Sequence, residues 1–123
     1  MRLLAVGFGG FIGASLRYLI SGWSVKLFGG SFPYGTLIVN ILGGFLIGLI
    51  MEGSLGTWNM STTMRVFLTT GLMGGLTTFS TFSYETIGML AESDYLLGGL
   101  NISLNLFFSL FGVWLGKYFI NII

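Results

Sequence analysis

The sequence contains no cysteine, no histidine and a single proline, and its charge amounts to five Lys or Arg and four Asp or Glu among 123 residues. Each scarcity excludes something. Without cysteine and histidine there are no disulfides, no zinc or haem ligation and no imidazole acid–base chemistry. A charged fraction of 7%, against roughly a quarter in an average soluble domain, cannot cover a water-facing surface. Disorder needs the opposite composition. A net charge of +1 leaves no basic footprint for nucleic acid. No nucleophile–base pair or metal-ligand cluster stands out, so an enzyme is not expected.

What is abundant is apolar. Hydrophobic residues make up 54% of the chain and mean hydropathy is +0.92. Charges punctuate long uncharged runs: 25 residues between Lys26 and Glu52, 19 between Arg65 and Glu85, and 22 between Asp94 and Lys117. A helix crossing a bilayer needs about 20 such residues. The first run is interrupted by Arg17, and it lacks the small-residue cleavage site of a secretory signal. The pattern predicts an all-α integral membrane protein, one domain over 1–123, with spans near 3–24, 33–52, 64–90 and 95–119. With four spans both termini share a face, carrying Arg2, Arg65 and Lys117. The opposite face carries Lys26, with Arg17 near the end of its helix. That bias is too small to fix orientation by the positive-inside rule.

Glycine is the other excess, 21 of 123 residues. Every span carries a small-xxx-small pair: Gly9/Gly13, Gly44/Gly48, Gly71/Gly75 and Gly112/Gly116. Such strips let helices approach closely. Four strips in four short helices exceed the obvious need of one small bundle, which predicts a homo-oligomer.

The third span holds the chemistry. Gly74-Gly75 followed by Thr77-Thr78 invites a break in the helix. Irregular backbone at membrane depth survives only when buried or lining a wet cavity. Carbonyls freed near Gly74 to Thr77 are candidates to hold a cation such as Na⁺; the alternative is an unbroken helix using glycine for packing. Thr77, Thr78, Ser80, Thr81 and Ser83 then place five hydroxyls in seven positions. Bonding back to the i−4 carbonyl explains one or two of them. The remainder suits a lining, since hydroxyls donate to anions. Phe79 and Phe82 are three apart, and an aromatic ring's edge is positive. Read as one helix, Thr77, Ser80 and Ser83 share a face and Thr78, Phe82 and Glu85 another. Glu85 is either an intramembrane carboxylate or an interfacial one. In the second span Thr36 and Asn40 share a face, and the Asn40 amide offers two donors, to an anion or to another helix. Arg17 attracts anions, pairs with an acid or reaches the headgroups. Asn101, Asn105 and Ser109 recur at i, i+4, i+8 in the fourth span.

These segments are similar to known motifs. Gly9-Gly10-Phe11-Ile12-Gly13-Ala14-Ser15-Leu16-Arg17-Tyr18, Gly35-Thr36-Leu37-Ile38-Val39-Asn40 and Gly74-Gly75-Leu76-Thr77-Thr78-Phe79-Ser80-Thr81-Phe82-Ser83-Tyr84-Glu85 resemble the GGxxGAxxRY, GTLxVN and GGxTTFSTFSxE stretches of the Fluc (CrcB-type) fluoride channels. The third is long and specific. The resemblance implies a dual-topology antiparallel homodimer in the inner (plasma) membrane, with two fluoride pores and passive export of fluoride from the cytoplasm. It implies a structural Na⁺ on the dimer axis, held by the carbonyls of Gly74 and Thr77. It implies a pore at Asn40, Phe79 and Phe82, a polar track at or near Thr36, Ser80, Thr81, Ser83 and Glu85, and an electropositive vestibule at Arg17. The competing class is a small proton-coupled multidrug exporter. Such a transporter needs an acid in its first span, where this chain has none.

Overall fold

The computed structural model describes residues 1–123 and is built of helices alone. Helix α1 runs Arg2–Phe28 and stops at Gly29, whose φ of 83° is left-handed backbone that suits glycine. Helix α2, Tyr34–Glu52, starts after the only proline and continues in wider turns over Gly53–Thr57. The third crossing is made in two pieces. Helix α3 (62–76) begins Thr62–Val66 under a Ser61 cap, widens over Phe67–Met73 and closes with Gly74–Leu76. Helix α4 follows as Phe79–Ala91, and α5 spans Tyr95–Ile122. Three stretches, Arg2–Phe28, Tyr34–Thr57 and Tyr95–Ile122, are long and apolar enough to cross a membrane. The chain is therefore a four-crossing helical membrane protein whose third crossing is broken.

The break lies two residues beyond the glycine pair. Gly74 and Gly75 are helical, whereas Thr77 (ψ 158°) and Thr78 (φ −151°) are extended. Gly75 serves close approach instead. A Cβ on Gly75 would stand 2.6 Å from the Gly10 carbonyl and 2.9 Å from the Ala14 nitrogen. Gly9 and Gly13 meet the α3 backbone from the other side. Likewise Gly44 and Gly48 lie against the backbone at Ser109 and Val113, and Gly112 and Gly116 against the backbone of α2. The small-residue strips thus mate in two internal pairs, α1 with α3 and α2 with α5. They are satisfied within one chain and give no argument for an oligomer.

Between these pairs sits a small core of Val39, Ile50, Met73 and Leu76. Most large apolar side chains, such as Phe8, Phe11, Phe107 and Trp114, face outward, as expected where lipid is the solvent. Arg17 lies well inside α1, which continues eleven residues beyond it, rather than near its end. Lys117 and Glu52 pair at 3.6 Å, where α2 and α5 meet on the face that carries the termini.

Candidate functional site

An extended pair of residues inside a membrane must find partners for its backbone. Thr77 turns both its N–H (3.0 Å) and its Oγ1 (2.9 Å) back to the Met73 carbonyl. Thr78 is gripped from across the bundle by the Asn40 amide. Its N–H donates to Asn40 Oδ1 at 2.9 Å, and its carbonyl accepts from Asn40 Nδ2 at 3.2 Å. This two-point grip imitates strand pairing, with a side chain in place of the second strand. The second Asn40 donor goes to Asn105 Oδ1 at 2.9 Å. Both donors are therefore committed between helices, the second of the two roles open to this residue from sequence.

The same bonds release carbonyls. In an unbroken helix the Gly74 carbonyl would receive the Thr78 N–H, and the Thr77 carbonyl the Thr81 N–H. Here Thr78 N–H serves Asn40, and Thr81 N–H serves the Thr78 Oγ1 cap at 3.1 Å. Gly74 and Thr77 thus lose their helical donors, as a cation site made of backbone oxygens requires.

The hydroxyls divide. Ser83 and Thr77 donate to their i−4 carbonyls, so two of the five are spoken for locally. Thr78 Oγ1 donates to Thr81 Oγ1 at 3.0 Å and stands 3.5 Å from Ser80 Oγ. With the one Thr78 hydrogen given to Thr81, the longer contact has Ser80 donating to Thr78, and the Thr81 hydrogen remains for another acceptor. Because Thr77 precedes the break, it shares no helical face with Ser80 and Ser83.

Two recesses flank α4. A groove of about 650 Å³ is lined by Asn40, Gly74, Thr77, Phe79, Phe82 and Ser109, among others. Phe79 and Phe82 stand tilted there, ring centres 5.6 Å apart, and Phe79 is 79% exposed on the single chain. The buried Ser109 hydroxyl has no partner. The second recess, about 350 Å³, is polar and includes Ser21, Ser24, Thr36, Glu85 and Glu92. One Glu85 oxygen is buried there without a hydrogen bond. The residues singled out from sequence therefore assemble between α2 and α4 but in two places: Asn40, Phe79 and Phe82 with the break, Thr36 and Glu85 in the polar recess. Arg17 lines neither recess and has no ion-pair partner.

Sequence reasoning gave no role to Asn101, Asn105 and Thr86. Asn105 Nδ2 donates to Asn101 Oδ1 (3.0 Å), Asn101 Nδ2 to Thr86 Oγ1 (2.9 Å), and Thr86 Oγ1 to the Phe82 carbonyl (2.7 Å). The i, i+4 asparagine spacing announced a polar face; its partners lie in other helices and left no local signal.

Comparison with known proteins agrees with this architecture. Residues 4–117 match the family described as CrcB-like protein, Camphor Resistance (CrcB). A protein of Clostridium perfringens (strain 13 / Type A), named fluoride-specific ion channel FluC, is 63% identical over 93% of this chain and 89% of its own length. Proteins of the same name from Clostridium novyi (strain NT) and Geobacter metallireducens are 57% and 45% identical, covering 93% and 94% of this chain and 89% and 94% of their own lengths. The match runs from the first turns of α1 into the last turns of α5, through the break and both recesses, and the chain belongs to the CrcB-like family.

Proposed function

We propose that this chain is a fluoride-selective channel of the plasma membrane, working as an antiparallel homodimer with two pores and letting fluoride leave the cytoplasm passively. The observation that carries the proposal is the broken crossing, with its paired phenylalanines and the uncommitted Thr81 hydrogen, in a chain 63% identical to a protein named as a fluoride-specific channel. Conduction, rather than catalysis, is what such a lining can do. Fluoride holds its water tightly, so a path must offer several weak donors at once and still let the ion go. Ser80 and Thr81 hydroxyls and the positive edges of Phe79 and Phe82 supply this without a fixed charge. Ser83 and Glu85 continue the polar side of α4, with Thr36 of α2 in the same recess as Glu85, and Arg17 raises the potential near the path. Asn40 serves the pore by holding Thr78, since its own donors are committed.

The carbonyls of Gly74 and Thr77, both without their helical donors, fit a Na⁺ shared with the same pair on a second copy. Bound there, the ion would supply a fixed positive charge beside two anion paths and tie the halves together. The groove beside them, with Phe79 largely uncovered, is where the second copy would close the pore wall.

The test is fluoride efflux from liposomes holding the purified protein, with K⁺ and valinomycin to balance charge and chloride as the control. Rapid fluoride release with little chloride release is expected. Absence of release from folded dimer in Na⁺ would overturn the proposal and favour proton-coupled export through Glu85.

A further inference from the structure

The polar groups around the break form one circuit, closed by the backbone of α4, whose linking bonds run head to tail; only the bond from Asn40 Nδ2 to the Thr78 carbonyl runs back. Thr78 N–H donates to Asn40, Asn40 to Asn105, Asn105 to Asn101, Asn101 to Thr86 Oγ1, and Thr86 Oγ1 to the Phe82 carbonyl. The circuit leaves α4 at its cap, crosses α2, runs along α5 and returns to α4 beyond Phe82. The stretch it encloses, 78–86, carries both phenylalanines. Asn101 and Asn105 are 0% and 5% exposed. Asn105 Nδ2 donates twice, to the Asn101 carbonyl at 2.8 Å and to Asn101 Oδ1 at 3.0 Å. Although Asn105 lines the groove, it has no donor left for an ion there. Bonds aligned head to tail polarise one another, and a buried amide deprived of its partner is costly. Rotating Asn40 away from Thr78 therefore requires Asn105 and then Asn101 to give way too.

The geometry points to Asn101 and Asn105 as positioning residues for the ion path. They act through Asn40 at one end and Thr86 at the other, fixing where α4 begins and which way Phe79 and Phe82 face. This rests on the fluoride-channel proposal above. Simple glue between helices would be a different thing: its loss would lower stability without making conduction follow the protonation of one side chain.

Asn105→Asp separates the two. Protonated, the new carboxyl accepts from Asn40 through one oxygen and donates from the other to Asn101, so the circuit stays closed. Ionised, it still accepts from Asn40 but turns a bare acceptor toward the Asn101 oxygens and opens the circuit there. The two forms are compared at about pH 5, toward the protonated carboxyl, and at about pH 9, toward the ionised one. The charged groups on the packed elements are remote or turned elsewhere: Glu85 faces the polar recess, Asp94 precedes α5, and Glu52 and Lys117 pair at the far ends of α2 and α5.

The experiment is liposomal fluoride flux of the dimer at both pH values, each variant taken as a ratio to wild type, with protein-free liposomes subtracting leak of the neutral acid. Asn105→Asp should run within about twofold of wild type at the acid value and about tenfold below it at the alkaline one. Asn105→Leu, which supplies neither acceptor nor donor, should be about tenfold low at both. A pH-independent ratio for Asn105→Asp, whether unchanged or uniformly low, overturns the inference, as does full flux in Asn105→Leu. If Asn105→Leu fails to fold, the comparison of Asn105→Asp with itself at two pH values still decides. A silent wild type would instead overturn the channel proposal.

Discussion

At the scale of single residues, the neighbouring phenylalanines are asked to do different things by their surroundings. Phe79 sits on the first turn of α4 and is largely bare on one chain, whereas Phe82 is partly buried beside it. A branched aliphatic residue at either position keeps apolar bulk but removes the positive ring edge. Phe79→Ile and Phe82→Ile should therefore lower fluoride flux at least about tenfold while the protein still elutes as a folded dimer. Full flux in both would remove the rings from the mechanism. Asn40 shows what a sequence can and cannot say. That an asparagine in hydrocarbon needs a partner is legible from its type. That the partner is the backbone of a residue 38 positions away is not, because the need for it arises only once the third crossing has broken.

At the scale of elements, the break was legible as a liability of Gly74-Gly75-Leu76-Thr77-Thr78, and its position was not. Glycine suggested where a helix could fail, but the α1–α3 contact needs Gly75 helical and without a side chain. The extended backbone falls on the threonines because Thr77 can return to Met73 and Thr78 can cap α4. The same contact yields a measurement. Gly75→Ala pushes a methyl into the Gly10 carbonyl and the Ala14 nitrogen, both backbone and unable to swing aside. It should cost about 1–3 kcal/mol and lower the melting temperature in detergent. Gly99→Ala, in α5 with nothing within 4 Å of the added carbon, should instead be neutral or raise stability by up to about 1 kcal/mol. Equal melting of the two variants would contradict the packing described.

At the scale of the whole molecule, four spans were readable from charge spacing alone, because lipid demands long uncharged runs. Oligomeric state was not, since the glycine strips that suggested it mate within the chain. What now argues for a second copy is the groove, with Phe79 uncovered and the Gly74 and Thr77 carbonyls short of donors. Two outcomes follow from the proposed antiparallel dimer. An N-terminal tag should be accessible from both membrane faces in comparable amounts, and labelling on one face alone would exclude dual topology. Adding Na⁺ to protein prepared without it should raise both fluoride flux and the melting temperature of the dimer, with K⁺ unable to substitute. The two-residue break also bears on how such a chain can vary. Each helical residue turns the chain by about 100° and advances it about 1.5 Å, whereas an extended residue advances about 3.3 Å. Thr77 and Thr78 therefore set the phase of everything after them, including Phe79, Phe82 and the return of Thr86 to Asn101. Exchanging one hydroxyl residue for another there leaves the phase intact. Deleting or inserting one residue would swing every side chain of α4 to a new bearing, so drift in this segment is open to substitution and closed to changes in length.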